Sequence, residues 1–295
     1  MFALQRLPLS GQRIPHVHSV SPCFTVFLRL PKTGSTTLKS VVLDKVAVED
    51  RFVVSDKVNE IYGDSWREHP GHERWRKVYN FFREQGPKVA RTYQCLVGHT
   101  WYGVHEGLDV PTQYVTYVRN PVKRFISLYN YFLDKKRHWL CRELHKRSMT
   151  FADFLADRDL SGPWENQQVQ MISGEMSPDE SSLSKALRNI EKDFLFVGMT
   201  AHFDEDLVRL SNYLDWGLPL YKRKNTSKKH VTIDDVSTDA ILEVVERNRL
   251  DIALYEYVKG RRGDRNEMRT RVFQVLNWLQ GTSIGQRIQK VESVW

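Results

Sequence analysis

Lys32, Thr33, Gly34, Ser35, Thr36 and Thr37 stand in an unbroken run, PKTGSTT, directly after the apolar stretch FTVFLRL. A β-rich run that stops at a proline, followed by a glycine and hydroxyl residues that open a helical pattern, makes a cradle for an anion. Backbone N–H groups at a helix N-terminus have no intrahelical acceptor and carry the positive end of the helix dipole, so they bind phosphate-like groups. Gly34 lets a ligand approach the backbone. Ser35, Thr36 and Thr37 add hydroxyl donors, and Lys32 adds a full charge. An ATP-binding loop of the pattern G-x-x-x-x-G-K-[ST] places its lysine after the second glycine. Here the lysine precedes the only glycine of the run, which argues against nucleotide-dependent phosphoryl transfer.

A second constellation lies in YVRNPVKRFISLYNYF, where Ser127 follows Arg119 by eight residues. TQYVTYV before it reads as a strand, and Asn120 as N-cap with Pro121 at the first helical position starts a helix. Val122, Phe125, Ile126, Tyr129, Phe132 and Leu133 form its apolar stripe, with Arg124, Ser127 and Tyr131 on a different face. Arg119 therefore leaves a strand tip and Ser127 lies on the next helix, where a guanidinium and a hydroxyl can converge on an anion. A third group is the histidine pair of LVGHTWYGVHEG. His99 follows a strand-like run, and His105 is the alternative to it. An imidazole, with an ordinary pKa of about 6.5, suits proton removal near neutrality. The plain reading of a strand-end histidine is a hydrogen bond to a loop. Trp101 and Tyr102 beside it can stack on a sugar ring. DKKRHWLCRELHKR offers Lys135, Lys136, Arg137, Arg142, Lys146 and Arg147 around Trp139, a pattern that reads equally as a solvated helix end.

These groups need a scaffold, and the remaining sequence describes one. The chain has 295 residues, 41% of them hydrophobic and 27% charged, enough for one large α/β domain or two small ones with a substantial core. A formal net charge of +8 favours anionic partners such as nucleotides, acidic glycans or phospholipid surfaces. Cys23, Cys95 and Cys141 are odd in number and widely spaced, suggesting neither a disulfide framework nor a zinc site. No apolar run approaches bilayer-spanning length, and the first twenty residues lack the continuous apolar core of a signal peptide, so the chain reads as intracellular. Strands are expected over Phe24–Leu30, through RTYQCLVGH to near Gly98, over TQYVTYV to Arg119, and over Asp193–Thr200. Helices are expected from Leu38 to Val46, over His72–Gln85, after Asn120, from a cap at Asp204 to Leu214, from Ile233 to about Arg247, and over Asp251–Val258. Strands alternating with helices predict a central, mainly parallel sheet with helices on both faces. Residues 1–22 read as an irregular leader, 23–260 as the domain, and 261–295 as a basic extension with an amphipathic helix that packs on the domain or on a second subunit.

PKTGSTT resembles the 5′-phosphosulfate-binding loop of sulfotransferases that use 3′-phosphoadenosine 5′-phosphosulfate (PAPS), and the Arg119–Ser127 pair resembles that family's second signature. FVGMTAHFDEDLVRLSNYL is similar to a segment of carbohydrate sulfotransferases, and RKNTSKKH looks like their late basic loop. The resemblance covers about Phe24 to Lys259. It implies a three-layer, P-loop-like fold and a PAPS donor leaving as 3′-phosphoadenosine 5′-phosphate (PAP), with no metal. It implies Lys32 through Thr37 on the 5′ side, with Lys32 stabilising the bridging oxygen, and Arg119 and Ser127 on the 3′-phosphate. Asn225, Ser227 and Lys228 would join the donor site from the late loop. Among subfamilies the chain most resembles the uronyl and heparan sulfate 2-O-sulfotransferases, whose Gly-His supplies the base; that match gives His99, with His105 in reserve. Val97 stands where that subfamily has a further histidine. The acceptor implied is a carbohydrate hydroxyl, on an anionic polysaccharide such as a uronic one, approached by Trp101, Tyr102, His105, Lys135 and Arg137. A lipid or small metabolite, or a non-catalytic glycan-binding role, are the alternatives; nucleic acid is not expected. The subfamily's Golgi anchor has no counterpart here, so the expected compartment is the cytoplasm, or the Golgi lumen if an anchor is missing from this chain.

Overall fold

The computed structural model describes residues 23–62, 71–136, 138–221 and 230–262. Its strands are β1 (Phe24–Leu28), β2 (Arg51–Val53), β3 (Cys95–Gly98), β4 (Thr112–Val118) and β5 (Phe194–Met199). They form one sheet in the order β2-β3-β1-β4-β5, and every pairing is parallel. Parallel neighbours require crossover connections. Helix α1 (Ser35–Lys45) leaves β1, and α2 (Val54–Tyr62) and α3 (Gly71–Thr92) lie between β2 and β3. Between β4 and β5 run α4 (Pro121–Asp134), α5 (Trp139–Lys146), α6 (Phe151–Ala156), α7 (Arg158–Ser161), α8 (Gln167–Ser173) and α9 (Glu180–Asp193). After β5 come α10 (Phe203–Tyr213), α11 (Thr238–Arg247) and α12 (Arg249–Gly260). None of the described helices is long and apolar enough to cross a membrane.

Both faces of the sheet are covered, so its strands are apolar on both sides. Val26, Leu28, Leu96, Tyr114 and Val118 face α3, α8, α9 and α12 in one core. Phe27, Val97, Val115 and Tyr117 face Leu38, Val41 and Val42 of α1 and Leu207 and Leu210 of α10 in another. A third cluster joins α4 to α5, α6 and α11. From β1 the chain steps to the β2 edge, returns through β3, and crosses to β4 and β5. The strand order thus reverses around β1, and ligands of open α/β sheets bind beyond the carboxyl ends at such a point. Because all five strands point the same way, the residues that follow β3, β1, β4 and β5 (His99, Arg29 through Lys32, Arg119 and Thr200) leave along one edge.

Several expectations need correction. The three residues of β2 are too short for a periodic signal, and the sheet has five strands where the sequence suggested four. The helix expected over His72–Gln85 continues to Thr92 with Pro87 inside it. Asp204 does not cap α10; His202 holds that position, and Asp204 accepts a 2.5 Å hydrogen bond from the Tyr221 hydroxyl. Arg124, expected on a face with Ser127 and Tyr131, is wholly buried beside Asp251 of α12. Its guanidinium donates to Trp164 O and to Gln167 Oε1, while the Asp251 carboxylate lies 3.8 Å away and accepts from the amides of Gln168 and Val169. Burial pushes the Asp251 pKa up and the Arg124 pKa down, and each opposes the shift of the other. The leader 1–22, the C-terminal helix and residues 222–229 lie outside the described residues.

Removing one partner of a buried ion pair leaves an uncompensated charge, which costs about 3–5 kcal/mol. Asp251→Ala is therefore expected to lower unfolding free energy by about that amount in urea titrations. A loss under about 1 kcal/mol would mean that Arg124 finds another counter-charge.

Candidate active site

At the carboxyl edge of the sheet lies a cavity of about 640 Å³, within the size range of small-molecule sites. The PKTGSTT turn forms one wall. Gly34 has φ 79° and a Cβ there would stand 3.1 Å from the Phe203 ring, so both backbone and space select glycine. Lys32 also has a positive φ, 67°, a conformation that costs a non-glycine residue on the order of 1–2 kcal/mol. Gly34, Ser35, Thr36 and Thr37 line the cavity with the first turn of α1. Thr33 does not: it is fully buried and its hydroxyl donates to Leu30 O at 3.0 Å. Arg29, 8% exposed, braces the turn from beneath, donating through Nε to Ser35 O at 2.9 Å and reaching Thr36 Oγ1 at 3.5 Å.

The Lys32 amine lies 4.3 Å from the centre of the Tyr131 ring. Burial, then the nearby charges of Arg119 and Lys135, lower its pKa to about 8, and Asp134 offsets part of this. At neutral pH it stays charged in a place that disfavours charge, and a bound anion would relieve that cost. Arg119 leaves β4 and donates from Nη1 to Lys32 O at 2.9 Å. Its own backbone is bracketed by one side chain: Gln168 Oε1 accepts from Arg119 N at 2.8 Å, and Gln168 Nε2 donates to Arg119 O at 3.0 Å. Gln168 Nε2 also donates to Asp251, so the buried ion pair beneath the sheet edge fixes the arginine above it. Ser127, nearly two turns into α4, lines the same cavity.

His99 follows β3 and lines the cavity beside Trp101. Its Nδ1 is 2.6 Å from Arg29 O. A carbonyl only accepts, so the proton of the neutral ring sits on Nδ1 and the lone pair on Nε2. His105 is elsewhere. Its Nδ1 lies 2.8 Å from the Tyr114 hydroxyl, its ring packs on Tyr102, and burial lowers its pKa. Tyr102 hydrogen-bonds Asp193, and neither it nor His105 lines the cavity. Trp101 and Lys135 do. Arg137, Asn225, Ser227 and Lys228 lie outside the described residues. Among the other lining residues, Arg29, His138, Trp164, Gln167 and Thr200 were not foreseen, because it is tertiary packing that brings them to the cavity.

Comparison with known proteins gives the family. The model of the sulfotransferase family matches residues 22–258. This chain belongs to the sulfotransferase family. It is 23% identical over 266 residues to uronyl 2-sulfotransferase of Homo sapiens, covering 81% of this chain and 62% of that protein. It is 22% identical over 254 residues to galactose-3-O-sulfotransferase 2 of Mus musculus, covering 79% of this chain and 60% of that one. The chain thus spans about three fifths of the length of these curated relatives. The family membership agrees with the five-stranded parallel sheet and its flanking helices.

The depressed Lys32 pKa has a signed consequence. Between about 8 and the ordinary lysine value of 10.5, the unfolded chain keeps a proton that the folded chain has released, so this group's contribution to stability rises with pH. Lys32→Met should therefore compare best with the parent at pH 7 and lose that relative advantage by pH 10. Denaturation curves across that range check it, and a parent–variant difference independent of pH contradicts it.

Proposed function

We propose that this chain transfers a sulfuryl group from PAPS to a hydroxyl of a carbohydrate acceptor. The observation that carries this reading is the pairing of two cationic centres in one cavity. The Lys32–Thr37 turn and the Arg119–Ser127 pair match a nucleotide that is charged at both its 5′ and 3′ positions, and the Arg119 bond to Lys32 O ties them together. The fit is chemical as well as spatial. Gly34 supplies the positive φ that shapes the turn, and the lining offers cations and hydroxyls to phosphate oxygens.

When bound, PAPS supplies an activated sulfuryl group on a phosphate leaving group. The turn amides and the Ser35, Thr36 and Thr37 hydroxyls hold the 5′ side, and Arg119 and Ser127 hold the 3′-phosphate. Lys32 sets positive charge where negative charge develops, a contribution realised most fully in a partly buried site. His99 Nε2 takes the proton of the acceptor hydroxyl, while its Nδ1–H bond to Arg29 O fixes the tautomer and the ring direction. Trp101 and Trp164 restrict water around the reacting groups. Asn225, Ser227 and Lys228 complete the donor contacts in this proposal. Because the relatives' names specify a uronyl and a galactose acceptor, a sugar hydroxyl is the acceptor class, and a uronic polysaccharide is the form we favour.

Incubation of the purified protein with labelled PAPS and a panel of glycans and small hydroxyl compounds tests the reading. Label transfer to a glycan supports it; PAPS left intact with every acceptor overturns it. His99→Ala is expected to lower turnover by about 10²- to 10⁴-fold while leaving affinity for PAP nearly unchanged. The parent should lose activity on the acid side of neutrality as a proton-accepting imidazole becomes protonated, and the variant's residual activity should lack that limb. An unchanged acid limb, or a loss of PAP affinity equal to the loss of rate, contradicts the base role.

A further inference from the structure

The backbone of Lys32 is tied to Arg119, but its amine ends a flexible four-carbon stem and stays where its surroundings hold it. What it meets is the ring of Tyr131. Nζ lies 4.3 Å from the ring centre, inside the roughly 6 Å over which an aromatic face attracts a cation. Tyr131 follows Ser127 by one turn of α4, so the two share a helix face, and both line the cavity. The Lys135 amine lies 5.1 Å from the same ring centre. Arg119 at the end of β4 and Lys135 just beyond α4 oppose the ammonium form of Lys32, and Asp134 favours it. Asp134 is itself 2.8 Å from His230 Nε2. Of the other titratable groups, Arg29, His99 and His138 line the same cavity.

A carboxylate in the place of the Tyr131 ring would also hold the amine, but it would cancel the charge that an anion needs. A leucine would occupy much of the space and attract nothing. An aromatic face attracts the cation without neutralising it, so the amine is held and its charge still reaches the cavity. We propose that Tyr131 is a positioning residue for Lys32, holding the amine beside Arg119 without a counter-charge so that it meets the 5′ side of a phosphosulfate donor. This rests on the sulfotransferase reading of the cavity and adds to it a residue which that reading does not use. Attraction to the ring favours the ammonium form, against the burial and the neighbouring cations that bring the Lys32 pKa down to about 8. Without the ring, the amine loses its proton at lower pH.

The test uses the full chain grown with lysine isotopically labelled at the ε-carbon and titrated by NMR, the Lys32 signal being the one that Lys32→Met removes. The parent signal should titrate near pH 8. In Tyr131→Leu its proton affinity should fall roughly two- to thirtyfold, the range expected when a partly desolvated cation loses an aromatic face. Tyr131→Phe keeps the face and should stay within about twofold of the parent. Transfer from labelled PAPS is followed in parallel. Tyr131→Leu should lower kcat more than it raises the KM for PAPS, and the upper-pH limb of kcat should move down with the amine. Tyr131→Phe should keep the parent profile. A Lys32 titration unchanged in Tyr131→Leu overturns the role, and so does a Tyr131→Phe that behaves like Tyr131→Leu. Transfer that persists with the Lys32 titration unmoved leaves the sulfotransferase reading standing. A Lys32 titration that moves in Tyr131→Leu but not in Tyr131→Phe, in a protein that transfers nothing from PAPS to any acceptor, supports the hold on the amine and overturns the activity.

Discussion

The hydrogen bond from Arg119 to the carbonyl oxygen of Lys32 joins the two halves of the site. It spans the tips of adjacent strands β1 and β4, and it is made to a residue whose backbone is in the left-handed region. A turn with an unfavourable lysine conformation and a half-buried lysine charge needs external support. Arg119 supplies it from one side, and Arg29 from below through Ser35 O. In return the turn sets the arginine's head over the cavity. Neither the turn nor the arginine is positioned without the other.

Support for Arg119 comes from farther still. Gln168 grips its backbone at both N and O, and Asp251 orients Gln168 while facing Arg124 in a fully buried pair. A buried ion pair contributes little net stability compared with apolar packing, but it demands one geometry. Here that geometry fixes α8 and α12 beneath the end of β4. The same economy appears at His99, where Arg29 acts twice: its side chain holds the turn and its carbonyl sets the imidazole tautomer. The PKTGSTT turn, His99 and the sheet edge are therefore one mechanically coupled unit.

What could be read from sequence was what is encoded locally. A glycine at a positive φ, hydroxyls opening a helix, and Asn120-Pro121 starting another are backbone signals, and the structure forms both turns. The Asn120 side chain accepts from Lys123 N at 3.2 Å, as an N-cap should. Periodicity identified the apolar stripe of α4 but not what covers its other faces. The sequence pattern places Arg124 off the apolar stripe, and nothing near it in sequence announces α8 and α12, whose contributing residues lie 43 positions away at Gln167 and far beyond at Asp251. His99 and His105 look alike in sequence. The fold separates them, one to the cavity and one against Tyr114. Short elements such as β2 escaped because three residues carry no period.

The central claim is that one cavity holds two coupled anion centres, and ligand charge at the second position tests it most directly. Calorimetric titration should give PAP a roughly 10- to 150-fold higher affinity than AMP, the difference expected when one charge-assisted contact to the 3′-phosphate is worth about 1.5–3 kcal/mol. In Arg119→Met that preference should largely disappear. Equal affinities for PAP and AMP in the parent protein would contradict the account.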